Sequence, residues 1–137
     1  MLARSLLWAV TAAVVAAGAD AAEPDWNALA GVAVPEIVTL DEDGSERVTK
    51  LWLVVVDGQG YLRTGDTTWH RNIERNPDVV LRIEGSSHPL RATHVTDPEL
   101  RARIQAAFRE KYGFQDRVVS LFGSEERAQL LRLDPRP

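Results

Sequence analysis

The segment that decides the fold runs from Tyr61 to Pro77 and reads YLRTGDTTWHRNIERNP. Its first four residues, 61–64, are typical of the end of a β-strand, and the Gly-Asp pair after them favours a tight turn. A short helix is then predicted to begin near Thr67 or Thr68 and to stop at the Asn-Pro pair that closes the segment. The segment therefore predicts a strand, a turn and a helix in immediate succession.

The start of this helix is a candidate anion-binding site. The first N–H groups of a helix lack partners within the helix and carry a partial positive charge. Arg63 and Arg71 lie on either side of this helix start in the sequence. Asp66 opposes the interpretation, because its carboxylate could cap the helix and would then repel a phosphate. The residues alone leave two alternatives open for the arginines, cofactor ligands or surface ion-pair partners.

The same segment carries a resemblance to a known family. After an apolar strand and a turn, the pattern Trp69-x-Arg71-Asn72-Ile73-x-x-Asn76-Pro77-x-Val79 resembles the FMN-binding split-barrel superfamily. That superfamily contains the pyridoxamine 5'-phosphate oxidase-like proteins and the deazaflavin-dependent nitroreductase-like proteins. The resemblance runs from about Pro35 to Tyr112. The oxidase branch has Ser-x-Lys at the helix start, so Trp69-x-Arg71 is closer to the nitroreductase-like and uncharacterised branches.

The resemblance implies a cofactor, FMN or a deazaflavin coenzyme, and an oxidoreductase activity. The cofactor-binding residues that it implies are Arg63, Thr64, Thr68, Trp69, Arg71 and Asn72. The phosphate would be held by Arg63, Thr64, Thr68 and Arg71. Trp69 would stack on the flavin ring. The residue types also allow Trp69 to pack on the barrel and Asn72 to bond the backbone around Pro77. The catalytic residue stays unknown, because a flavin itself carries the electrons.

The rest of the chain predicts a mainly β domain with helices, an α+β fold. Together with the resemblance, it predicts a six-stranded antiparallel split β-barrel. The predicted strands are residues 36–40, 46–56, 61–64, 79–83, 88–95 and 128–133. Residues 41–45 favour a hairpin turn between the first two strands. The three consecutive strands 61–64, 79–83 and 88–95 are expected to form an antiparallel meander.

A longer helix is predicted to follow the fifth strand. Thr96-Asp97-Pro98-Glu99 supplies a capping residue, a proline at the first position and an acidic first turn, and Gly113 ends the helix. Four apolar residues recur on one face of it: Leu100, Ile104, Ala107 and Phe108. This helix should therefore lie against the barrel. Residues 114–124 lack a clean period and predict only a short helix or a turn.

The first 21 residues are typical of a signal peptide. Arg4 precedes an apolar run from Leu6 to Ala17 that is too short for a comfortable membrane span, and Ala19-Asp20-Ala21 fits a cleavage site. We expect cleavage after residue 21, a lead-in over 22–34 with one turn of helix, and a split-barrel domain over 35–137. The product would be periplasmic or secreted, without a stable membrane anchor. A retained N-terminal anchor helix is the alternative.

Composition limits the partners. The chain has 16 Lys and Arg against 20 Asp and Glu, so dense positive charge for nucleic acid is absent. It has no cysteine for disulfides, and its small size favours a homodimer. His70, His88 and His94 lack a third or fourth ligand at a suitable spacing, so no metal is expected. Haem, which needs one axial histidine, stays open.

Two functions follow from the sequence. The first is an exported flavin- or deazaflavin-binding oxidoreductase of unknown substrate. The second is a non-catalytic extracytoplasmic split barrel that serves as a binding or interaction domain. Arg63 and the Trp69-to-Asn72 pattern favour the first, while Asp66 and the export route favour the second.

Overall fold

The computed structural model describes residues 23–113 and 127–137. The helices in these ranges are α1 (Trp26–Leu29), α2 (Thr68–Arg75) and α3 (Pro98–Tyr112). The strands are β1 (Glu36–Leu40), β2 (Glu46–Lys50), β3 (Leu53–Val56), β4 (Gln59–Thr64), β5 (Asp78–Ile83), β6 (Ser86–His94) and β7 (Gln129–Pro135). The mainly β class with a few helices is therefore confirmed.

The strands of the described ranges form one antiparallel sheet that curls into a half-open barrel. Their order is β2-β1-β5-β6-β7-β4-β3. The two edge strands, β2 and β3, follow one another in the chain with only Leu51 and Trp52 between them. Because so short a connection spans only about 10 Å, the two edges of the sheet must come close together. Segment 46–56 thus contributes both edge strands of the sheet and connects them.

The prediction of six strands is wrong, because segment 46–56 forms two strands and not one. At the break, the backbone N–H of Leu51 donates to the carbonyl of Pro35 (3.2 Å), and Leu51 is buried. Trp52 turns outward to stack on Tyr112, with ring centroids 4.1 Å apart and planes 6° apart. The apolar run 51–56 therefore contains a bend, where Leu51 is buried and Trp52 packs on Tyr112 of α3.

The predicted three-strand meander is wrong in one pairing. β5 and β6 pair as expected, from Ile83 with Ser86 to Asp78 with Arg91. However, β4 pairs with β3 and β7, so β7 and β6 separate it from β5. The reason is α2, which carries the chain across the barrel between the ends of β4 and β5. A helix of eight residues can make a crossing that a tight turn cannot.

The sheet buries one hydrophobic cluster on each face. The barrel core lies inside, with Leu53, Leu62 and Leu81 fully buried, and Trp69 and Ile73 of α2 close it at one end. The outer cluster lies between the sheet and α3, where Ile104 and Phe108 are fully buried. Residues of one strand alternate between these clusters because successive side chains point to opposite faces.

The α3 helix begins and ends where the sequence predicts. Asp97 caps it by accepting a hydrogen bond from the N–H of Leu100 (2.9 Å), and Gly113 follows its last residue with a positive φ. At its C-terminal end, the Tyr112 hydroxyl donates to the carbonyl of Ala33 (2.8 Å) and accepts from the N–H of Leu53 (2.9 Å). This hydroxyl ties the helix to both the lead-in and β3.

Two sequence predictions lie outside the described residues: the signal peptide over 1–21 and the short helix or turn over 114–124. The single turn of helix in the lead-in is confirmed as α1. Among residues 23–113 and 127–137, no helix combines the length and the apolar character needed to cross a membrane.

Candidate functional site at the barrel mouth

The N-terminus of α2 lies where β4 and β6 end, and we call this end of the sheet the barrel mouth. Thr67 caps the helix: its Oγ1 accepts from the N–H of His70 (3.2 Å). The hydroxyl groups of Thr64 and Thr67 lie 2.9 Å apart in a hydrogen bond. The predicted helix start is confirmed, but the cap is Thr67 and not Asp66, because the Thr67 side chain faces the free amides.

Arg71 and Asp66 form an ion pair at the rim of the mouth. An Nη of Arg71 lies 2.6 Å from an oxygen of Asp66, and the other Nη donates to the Thr68 hydroxyl (3.3 Å). The side chains of Asp66 and Arg71 are 88% and 53% exposed. An ion pair this exposed is weak, and a competing anion can replace one partner at small cost.

Arg63 lies on the other face of the sheet, against α3. Its guanidinium donates to the Gln105 side chain (2.9 Å) and lies 4.4 Å from the centroid of the Phe108 ring. Thr64, the next residue of β4, faces the mouth. The structure thus brings Thr64, Thr68 and Arg71 close to the helix start and holds Arg63 apart from them, among the aromatic side chains of the outer cluster.

Trp69 and Asn72 are buried under α2. Trp69 is 6% exposed and packs in the barrel core. The amide of Asn72 donates to the Thr39 hydroxyl (3.1 Å) and to Asp41 (2.8 Å), so it bonds β1 and the following turn, not the backbone around Pro77. Both side chains position α2 on the barrel. Their contact with a cofactor stays a prediction.

Asp41 stays ionised over a wide pH range. The hydrogen bond from Arg47 (2.7 Å) is the main cause that holds the pKa of the Asp41 carboxyl below its usual value, and the Asn72 amide adds to it. The attachment of α2 to this carboxylate therefore persists at mildly acidic pH.

A histidine pair lies at the mouth that sequence reasoning missed. Nε2 of His70 on α2 lies 3.0 Å from Nε2 of His94 at the end of β6, with the rings nearly perpendicular. Burial is the main cause that lowers the pKa of His70 below its usual value. No sequence signal could have found the pair, since it depends on β4, β7 and β6 being neighbours. Within the described ranges, His, Asp and Glu side chains form no group of three that could hold a metal ion.

A separate cavity of about 400 Å³ lies at the opposite end of the strands. Lys50 and Arg82 line it together with Glu36 and Glu84, and Val34 adds an apolar wall. Two basic and two acidic side chains thus line it, without an excess of either charge. The mouth is therefore the better candidate for a functional site.

Comparison with known proteins agrees with this architecture. The predicted split-barrel fold is confirmed, because the solved structures that share this fold include F420-dependent reductases and a nitroimidazole resistance protein. The model of one family, described as "Uncharacterized protein conserved in bacteria (DUF2255)", matches residues 29–133, and the chain belongs to this family. No curated protein matches the sequence significantly.

Three solved structures illustrate the similarity. The conserved hypothetical protein Rv2991 from Mycobacterium tuberculosis superposes with a TM-score of 0.66 at 20% identity, covering 87% of this chain and 84% of that one. An F420-H2 dependent reductase, FDR-A, gives 0.62 at 15% identity over 75% and 95%. The heme storage protein HutZ from Vibrio cholerae gives 0.60 at 19% identity over 76% and 82%. At these identities the likeness establishes the fold.

Proposed function

We propose that the protein is an oxidoreductase that binds a deazaflavin or flavin at the barrel mouth. The observation that carries the proposal is the position of α2, which begins directly beyond β4 and presents Thr68 and Arg71 at an accessible helix start. A helix start of this kind binds phosphate through its free N–H groups. Similarity to a reductase named for F420-H2, a deazaflavin, supports the cofactor class.

The Arg71–Asp66 pair is compatible with this proposal. Both side chains are mostly exposed, so breaking their contact costs little. A phosphate would accept from Arg71 and Thr68 with charge-assisted hydrogen bonds, which are about twice as strong as neutral ones. Asp66 would then swing into solvent. The cofactor phosphate would thus replace one anionic partner of Arg71 with another.

The decisive measurement is cofactor binding by the purified protein. FMN and the deazaflavin coenzyme would each be titrated against it, with fluorescence quenching as the readout. Arg71→Ala should weaken binding by at least about tenfold, because a hydrogen bond to a charged group contributes roughly 1.5–3 kcal/mol. Arg82→Ala is the matched control, since Arg82 lies on β5 away from the mouth and contacts Glu46 at 3.8 Å.

Asp66→Asn supplies a test of opposite sign. Removal of this carboxylate takes away the repulsion on the phosphate, so affinity should rise. Arg63→Ala tests whether the outer arginine also contributes. If Arg71→Ala and Asp66→Asn both bind as the wild type does, the phosphate does not lie at this helix start.

A second function is a binding domain without catalysis. The observation that favours it is the Asp66–Arg71 contact itself, which satisfies the basic group at the candidate anion site. In that case the wild-type protein quenches neither flavin nor deazaflavin fluorescence, and Asp66→Asn does not restore binding.

Export and dimerisation belong to the same proposal. Export predicts that the mature chain begins at residue 22, which N-terminal sequencing of protein from a periplasmic fraction would check. Recovery of a chain that begins at Met1 would contradict it. Sedimentation equilibrium should give twice the mass of the mature chain.

A further inference from the structure

Besides the buried side chains of Trp69 and Ile73, two sets of polar contacts attach α2 to the barrel. The first lies in the second half of the helix: Asn72 donates to Thr39 and Asp41, and Arg75 donates to the carbonyl of Leu40 (3.2 Å). The second lies at the mouth, where His70 meets His94. The two sets differ in chemistry, because only the second is a contact between two imidazole rings.

The histidine contact has the geometry of a direct hydrogen bond. The two Nε2 atoms are 3.0 Å apart and the ring centroids 5.2 Å. Each Nε2 lies one ring radius from its centroid, so the centroid separation is close to the largest that this contact allows. Both nitrogens therefore lie almost on the line that joins the ring centres. A metal bound by both lone pairs would need the rings bent toward a common point off that line, so one shared N–H fits better.

The neighbours of the pair indicate which ring donates. Nδ1 of His70 lies 3.7 Å from a carboxylate oxygen of Glu74, which favours a proton on that nitrogen. The Nε2 of His70 is then the acceptor, and the exposed His94 is the donor. In this arrangement a single proton, on Nε2 of His94, forms the hydrogen bond between the two rings.

We propose that His70 and His94 form a proton-controlled latch between α2 and the end of β6. The latch is closed when the Nε2–H of His94 donates a hydrogen bond to Nε2 of His70. A proton on Nε2 of His70 while Nε2 of His94 keeps its own leaves two N–H groups facing each other and opens the contact. This loosens the polar attachment at the mouth end of the helix while the Asn72 contacts hold the other end.

Burial and the charges around the pair set the pH at which the latch opens. Burial is the main cause that lowers the pKa of His70, His94 and Arg71 lower it further, and Glu74 and Asp66 oppose them. Leu131, the residue paired with His94 on β7, is uncharged. A folded pKa below the unfolded value of about 6.5 means that the neutral ring stabilises the fold above that pH. This contribution is lost as the pH falls below about 6.5.

The latch is tested by hydrogen exchange, with rates expressed as protection factors to remove the intrinsic effect of pH. The reporters are the amides of His70 and Arg71, which bond Thr67. From pH 7.5 to pH 5 we expect their protection to fall about tenfold, equivalent to about 1.4 kcal/mol. The amide of Asn76, bonded to the carbonyl of Asn72, should keep its protection. An equal loss at all three amides would indicate global destabilisation and overturn the proposal.

Variants of the histidines separate the latch from other effects. His94→Ala should show the low protection already at pH 7.5 and lose the pH dependence. His94→Gln retains a donor and should protect the mouth end at pH 7.5. His88→Ala, the change of the remaining histidine, is the control and should behave as the wild type. Wild-type protection that is constant with pH, or a pH response unchanged in His94→Ala, would overturn the latch.

Imidazole ¹⁵N spectra give a second test that is independent of any cofactor. At pH 7.5 the Nε2 of His70 should be unprotonated and that of His94 protonated. A zinc titration should leave both signals unchanged. Protonated Nε2 on both rings at pH 7.5, or zinc-dependent shifts of both rings that His94→Ala abolishes, would contradict a shared proton.

Discussion

The two faces of β4 carry neighbouring residues into different environments. Leu62 and Thr64 face the barrel and its mouth, while Tyr61 and Arg63 face α3. The barrel face is apolar up to the hydroxyl of its last residue, whereas the outer face combines aromatic rings with a cation. The comparison teaches that a contiguous sequence motif is divided in space when it lies on a strand. Arg63 and Thr64 are adjacent in sequence but lie on opposite sides of the sheet.

The largest expected effect tests whether the outer face is structural. Phe108→Ala should lower the free energy of unfolding by about 3–5 kcal/mol, because it leaves a cavity in a fully buried site. Leu62→Ala is the matched change on the barrel face and should cost about 2–5 kcal/mol. Urea unfolding measures both. A cost below about 1 kcal/mol for Phe108→Ala would show that the outer face contributes little and that Arg63 is not held there.

The next effect concerns the close packing of the barrel face. A Cβ added at Gly60 would lie 2.4 Å from the ring of Trp26, so Gly60→Ala must displace this side chain. We expect a loss of about 1–3 kcal/mol in thermal or urea unfolding. Gly65→Ala, with no atom within 4 Å of the added Cβ, serves as the control. Equal stability of the two variants would mean that Trp26 does not pack on β4.

An effect of similar size is expected from the hydrogen bond of Tyr112 that joins α3 to β3. Tyr112→Phe removes the hydroxyl that accepts from the buried N–H of Leu53, and an unsatisfied buried donor costs about 1–3 kcal/mol. Tyr61→Phe is the control, because its hydroxyl makes no hydrogen bond to the described residues that would be lost. If both variants unfold at the same urea concentration as the wild type, water satisfies the Leu53 amide.

The smallest effect compares the two arginines. Arg63→Ala should cost about 1–2 kcal/mol, since the partly buried guanidinium stacks on Phe108. Arg71→Ala should cost no more than about 1 kcal/mol, because its ion pair is exposed. Equal losses would remove the distinction between a structural arginine and an arginine available for a ligand.

Much of the fold could be predicted because local rules decide it. Asp97, Pro98 and Gly113 delimit α3 by capping chemistry, and the turn over 41–45 contains Gly44 at a positive φ, which only glycine adopts freely. The bend at Leu51 and Trp52 could not be predicted, because it depends on how the two sheet edges meet. A continuous apolar run does not indicate at which residue one strand ends and the next strand, paired with a different neighbour, begins.

The site was less predictable than the fold. The helix start near Thr67 follows from local sequence, and the rim pair formed by Asp66 and Arg71 lies within it. The His70–His94 contact requires the position of β6 relative to α2, which only the strand order supplies. Two residues that are 24 positions apart thus form a contact at the mouth that the sequence motif alone does not reveal.

The position of β7 has a consequence for biogenesis. This strand follows the other strands of the described residues, yet it lies inside the sheet and bridges β6 to β4. While residues 129–135 are still on the ribosome, β4 has no partner on that side and the earlier strands remain in two unconnected groups. The sheet can therefore close only once residues 129–135 have emerged, and the open edges of β4 and β6 stay accessible to chaperones until then.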